Sequence, residues 1–121
     1  MSDSTATIAQ LKETVRGFCA EREWDKYHGA KDLAIGMVTE ASELLAHFRF
    51  KSAVEAETMM SDVKARASIS DEIADVMFFL IRLCEKYGFD LTTALGSKME
   101  TNAVRYPVSK AKGSNKKYTE L

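Results

Sequence analysis

Four carboxylates in two short stretches are the residues of this chain best placed to do chemistry. Glu40 and Glu43 stand three apart in Asp32 to Phe48, DLAIGMVTEASELLAHF, and Glu72 and Asp75 three apart in Ile69 to Gly88, ISDEIADVMFFLIRLCEKYG. Both stretches carry helical periodicity. On a helix, positions i and i+3 lie about 60° apart around the axis and one turn along it, so each pair projects from one side. The second pair is followed by Val76, Met77, Phe78, Phe79, Leu80 and Ile81, a run that does not suit a solvated face. Carboxylates among such residues are costly to desolvate unless a cation or hydrogen bonds compensate. Two such helices packed together gather four carboxylates at one spot. Those are hard oxygen donors, suited to a hard cation and to Mg²⁺ above all. One acidic pair alone is ordinarily the polar edge of an amphipathic stripe. Its repetition on two helices, with apolar flanks each time, sets the metal reading level with that plainer one.

The elements that must position these acids are helices throughout. The first is expected from about Thr7 to Glu23, with Ile8, Leu11, Val15 and Phe18 on one apolar stripe and caps among Asp3, Ser4 and Thr5. The connector from Trp24 to Gly29 holds the only Trp of the chain beside Tyr27 and His28. Its rings either cover an end of the core or form a stacking wall for a planar ligand, and composition alone favours the cover. Asp32 is expected to cap a second helix, Leu33 to Phe48, with Leu33, Met37, Ala41, Leu44, Leu45 and Phe48 as its apolar stripe. Gly36, Glu40, Glu43 and His47 share another line. A lone His near a helix end is ordinarily solvated or paired with the terminal carbonyls, so His47 is not counted as a ligand.

Ser52 and Glu55 match a capping box for a short helix through Met60, followed by a polar linker with Asp62, Lys64 and Arg66. A third long helix is expected from Ser68 or Ser70 to Gly88, and a fourth, capped by Asp90, from Leu91 to Tyr106 before Pro107. On this last helix Lys98, Asn102, Arg105 and Tyr106 make a polar stripe. It is either a solvated face or, if turned to the acids, a source of cations and an amide for a metal-bound polyphosphate. Residues 1–6 and 108–121 read as polar tails, flexible or lying on a partner.

The 121 residues suit a single all-α domain, small enough to gain from oligomerisation. A formal net charge of -1 and a pI near 6.1 argue against a nucleic-acid polymer or a membrane surface as partner. The longest apolar run, Val76 to Ile81, is too short to cross a bilayer, and no secretory leader is visible. Cys19 and Cys84 stand far apart among apolar residues, as buried free thiols do in a reducing cytoplasm. No Gly-rich phosphate loop, GxSxG, zinc spacing, internal repeat or strand pattern appears.

With these residues placed, the chain resembles the MazG-like, all-α nucleoside triphosphate pyrophosphohydrolases, in particular their dCTP pyrophosphatase branch. The resemblance runs through RGFCAEREWDKYH, EASELLAHFRFKS, DEIADVMFFL and SKMETNAVRYPVSKAKGSNKKYTEL. It implies a four-helix-bundle-type fold assembled as a dimer or tetramer, and Mg²⁺-dependent hydrolysis of a (deoxy)nucleoside triphosphate to monophosphate and pyrophosphate, with Mn²⁺ as an alternative ion. It makes Glu40, Glu43, Glu72 and Asp75 the metal ligands and catalytic acids. Trp24 and His28 match positions lining the nucleoside pocket, and Phe50 stands where dCTP-selective relatives carry Trp. Asn102 and Tyr106 match residues near base and sugar, with Lys98 and Arg105 beside them. Two rivals stay open: a non-catalytic helical interaction or regulatory protein, and a related pyrophosphatase acting on dUTP or phosphoribosyl-ATP.

Overall fold

The computed structural model describes residues 1–121, and every regular element in it is helical. Six α-helices follow one another: α1 Ile8–Glu21, α2 Ala30–Phe48, α3 Ala53–Met59, α4 Val63–Tyr87, α5 Leu91–Arg105 and α6 Val108–Ala111. Single 3₁₀ turns occur at Asp25–Tyr27 and Tyr118–Glu120. The all-α expectation is met, and no helix is long and apolar enough to cross a membrane.

Several boundaries differ from those the periodicity suggests, each for a local reason. Thr7 caps α1 itself, its side chain accepting from the Gln10 amide while the Gln10 side chain accepts from the Thr7 amide. The upstream Ser2, Ser4 and Thr5 bond to one another instead. Gly29, not Asp32, is the N-cap of α2, which leaves Asp32 inside the first turn, where an acid is favoured by the helix dipole. The polar stretch expected as a linker forms the first turns of α4, because Asp62 accepts from the Ala65 amide and starts the helix there. Weak apolar periodicity at a solvent-facing start does not stop a capped helix. Gly88 ends α4 in the left-handed region, φ 73°, as expected of a C-terminal glycine.

The chain divides into two compact units, Met1–Gly88 and Phe89–Leu121. In the first, α2 packs along α4 and α1 lies against α4. The buried apolar residues are few: Cys19, Leu33, Ile69, Ile81 and Cys84, with Arg82 also buried. Both cysteines are free thiols. In the second unit, Tyr106 meets Tyr118 edge-on at 5.9 Å and the Arg105 guanidinium lies 4.8 Å from the Tyr118 ring. The last residues therefore fold back on the end of α5 within that unit.

The packed seam of α2 is not the stripe its apolar residues suggest. Leu33, Met37, Glu40, Leu44 and His47 are the sheltered positions, at helical spacing, whereas Leu45 is 67% exposed. The facing seam of α4 runs Ile69, Glu72, Val76, Phe79 and Leu83. Each seam thus spends one central position on a glutamate. The apolar residues displaced from it form an outward stripe: Ile35, Val38 and Leu45 on α2, Ile73 and Met77 on α4. Thr39 and Ser42 beside that stripe turn their hydroxyls back to the carbonyls of Ile35 and Val38, which makes the face less polar than its letters.

Candidate active site

The two seam glutamates meet. Glu40, Glu43 and Glu72 each bring one carboxylate oxygen to within 4.8 Å of the others. The Oε2 atoms of Glu40 and Glu72 are buried and accept no hydrogen bond from the protein. Two orphaned buried carboxylate oxygens facing a third carboxylate are an arrangement a protein does not keep for stability. A divalent cation fits it: hard anionic oxygens, converging from two helices, with lone pairs free. Burial first, then the neighbouring Glu43, Asp75 and Glu72 carboxylates, hold the Glu40 carboxyl above the ordinary glutamate range. Asp75 stands one turn after Glu72 and outside the tight triplet, close enough to be felt by Glu40.

His47 is not the solvated residue its position suggests. Its Nε2 lies 3.5 Å from Glu72 Oε1, across from α2 to α4 at the edge of the cluster. The contact leaves the other oxygen of Glu72 for the cluster.

A cavity of about 420 Å³ opens beside the acids. Glu40 and Asp75 line one part of it, Phe18, Trp24, Phe78 and Phe79 another, and Thr14 and Val15 of α1 complete it. The rings form a connected wall of edge-on contacts: Trp24 to Phe18 at 5.6 Å, Phe18 to Phe78 at 6.0 Å, Phe78 to Phe79 at 5.3 Å. Trp24 is 37% exposed, so part of its ring is open to solvent beside the cavity. Gly36 lets the wall close. A Cβ there would stand 2.4 Å from Phe79 Cε1, so only glycine admits the Phe79 ring against the backbone of α2.

The connector that carries Trp24 is tied to α4 by polar contacts. Buried Arg82 donates from Nη1 to Glu85 at 2.6 Å, from Nη2 to Asp25 at 2.9 Å and from Nε to His28 Nδ1 at 3.0 Å. Lys86 donates to the carbonyls of Asp25 and His28 at 2.8 and 2.6 Å. His28 stands edge-on to Trp24, ring centroids 5.9 Å apart, and is not itself a wall of the cavity. Sequence reasoning passed over Arg82, although a charge inside FFLIRLC is a visible signal: a buried cation must have partners.

Phe50 is not a wall of the cavity either. It follows the C-terminus of α2, is 90% exposed and has φ 64°. The Arg49 guanidinium lies 4.6 Å from its ring. Lys98, Asn102 and Arg105 stand on α5 and Tyr106 at its C-cap, all in the second unit; Lys98, Arg105 and Tyr106 are exposed and Asn102 is partly sheltered.

The MazG-like family matches residues 35–121 of this chain. A dCTP pyrophosphatase 1 of Rattus norvegicus is 36% identical over 115 residues, covering 95% of this chain and 68% of its own length. The dCTP pyrophosphatase 1 of Homo sapiens is 34% identical over the same length, with the same coverage. Among solved structures, a pyrophosphatase of Archaeoglobus fulgidus superposes with a TM-score of 0.78 at 31% identity, covering 88% of this chain and 98% of its own.

Proposed function

The chain belongs to the MazG-like family, and on that footing we propose that it hydrolyses a (deoxy)nucleoside triphosphate, dCTP or a close relative, to the monophosphate and pyrophosphate. It is an enzyme, a nucleoside triphosphate pyrophosphohydrolase. The observation that carries the proposal is one cavity with an aromatic wall and two acids, one of which, Glu40, also belongs to the triplet of converging carboxylates. Such a site suits a ligand that is a flat ring at one end and a chain of anions at the other.

Glu40, Glu43 and Glu72, with Asp75 completing the set, would hold Mg²⁺, or Mn²⁺ in its place. The ion supplies positive charge that neutralises the triphosphate and acidifies a water. Asp75 is the acid outside the tight group, so it keeps an oxygen to take up the proton of the attacking water. The Trp24 face, supported edge-on by Phe18, holds the base by stacking, which tolerates base identity. His47 keeps Glu72 turned toward the cluster. By resemblance alone, Lys98 and Arg105 are assigned to phosphate oxygens, Asn102 and Tyr106 to base and sugar, and His28 and Phe50 to the nucleoside. The outward stripe of Ile35, Val38, Leu45, Ile73 and Met77 supports a homo-oligomer, dimer or tetramer.

The test is a screen of purified protein against the common ribo- and deoxynucleoside triphosphates with Mg²⁺, scored by pyrophosphate release. Release from at least one deoxynucleotide is expected. No release from any of them sinks the assignment of dCTP or a close relative as the substrate.

A further inference from the structure

We propose that Arg82 is a positioning residue for nucleotide recognition: it holds His28 as the neutral imidazole protonated on Nε2, and through that tether keeps the connector that carries Trp24 seated at the cavity. The inference rests on the pyrophosphohydrolase reading for its use, but not for its chemistry.

A guanidinium has five N–H donors and no acceptor. Arg82 Nε stands 3.0 Å from His28 Nδ1, so Nδ1 must be the acceptor and carry no proton. The single proton of the neutral ring is then on Nε2. Arg82 cannot turn away from this task. It is 3% exposed, and its other two branches are held by Glu85 on its own helix and by Asp25 in the connector. Lys86 fixes the backbone on both sides through the carbonyls of Asp25 and His28. The ring so fixed is packed edge-on against Trp24, the aromatic wall of the cavity.

The charges around His28 favour the same state. Arg82 and Lys86 face it from α4, Asp25 from the connector and Asp32 from α2. Burial first, then the two cations, hold the imidazole below its ordinary value against the pull of the two acids. Protonating Nδ1 would set donor against donor at Arg82 and break the tether. The tether, and with it the connector's geometry at Trp24, is therefore expected at neutral pH and is lost as pH falls through the lowered value.

Nitrogen-15 NMR of the imidazoles in substrate-free protein reads the tautomer directly. The expected result is a His28 with Nε2 protonated and Nδ1 bare at neutral pH, titrating at lower pH than a free histidine. In Arg82→Met the ring should become a mixture of tautomers and its titration should move up. KM for the triphosphate should rise by up to about tenfold, part of the stacking contribution of a displaced Trp24, with kcat little changed. A wild-type His28 protonated on Nδ1 overturns the inference. So does a folded Arg82→Met with unaltered tautomer and KM. If Arg82→Met does not fold, Asp25→Asn, at a side chain that is 76% exposed, loosens the same guanidinium without opening the core, and the wild-type spectrum decides the tautomer regardless. Absence of pyrophosphate release by the wild-type protein would instead defeat the proposed function and leave the tautomer as found.

Discussion

Glu40 and Glu72 occupy seam positions that an aliphatic side chain would fill more favourably, and each leaves one buried oxygen without a donor. The strain shows in how Glu40 titrates. Its carboxyl is held above the ordinary glutamate range by burial and by the neighbouring acids. A raised acid contributes fully to stability below the unfolded value, and the contribution is lost as pH rises through the folded value. In chelator-treated protein the thermal midpoint should therefore fall as pH rises across that interval, and Glu40→Gln should flatten the dependence and raise the midpoint at neutral pH. The same substitution should abolish turnover, which calorimetry and a pyrophosphate assay on one preparation can compare. A Glu40→Gln protein that turned over normally would remove the acid from the chemistry. At the aromatic wall, base stacking contributes about 1–3 kcal/mol, so Trp24→Ala should raise KM by roughly ten- to a hundredfold for every nucleotide accepted. A large drop in melting temperature with KM unchanged would make Trp24 a core plug instead.

At the scale of elements, the close approach of α2 and α4 depends on Gly36. Alanine is intrinsically the better helix former by about 1 kcal/mol. Here its methyl would meet the Phe79 ring at 2.4 Å, and overpacking of this kind costs about 1–3 kcal/mol. Gly36→Ala should thus be destabilising, visible as a lower midpoint in denaturant, and should weaken nucleotide binding because Phe79 is a wall of the cavity. Stabilisation would mean the ring has room to move. The helices themselves were largely legible: the Ser52–Glu55 box, Gly88 and Pro107 act where their chemistry says they should. Periodicity misled where function competes with packing. Leu45 reads as core on α2, yet it faces outward and the seam there is given to Glu40 and His47. The acidic pairs could be read from spacing because helix geometry alone aligns them. The tie from Arg82 to Asp25 and His28 could not, since it spans more than fifty residues and depends on how α4 meets the connector.

For the whole molecule, the contrast between five buried apolar residues and the outward stripe on α2 and α4 is the main physical pressure toward assembly. Light scattering should give a mass at least twice the 13.5 kDa of one chain at micromolar concentration, and Val38→Lys with Leu45→Glu should lower it. A wild-type monomer would leave that face unexplained. The central claim, hydrolysis of a triphosphate between its α- and β-phosphorus, is tested most directly by phosphorus-31 NMR of dCTP turned over with Mg²⁺ in ¹⁸O-water. The account predicts dCMP and pyrophosphate as the products, with the isotope shift on the monophosphate alone. Label in pyrophosphate, release of orthophosphate with dCDP, or no turnover of dCTP or any related triphosphate would contradict it.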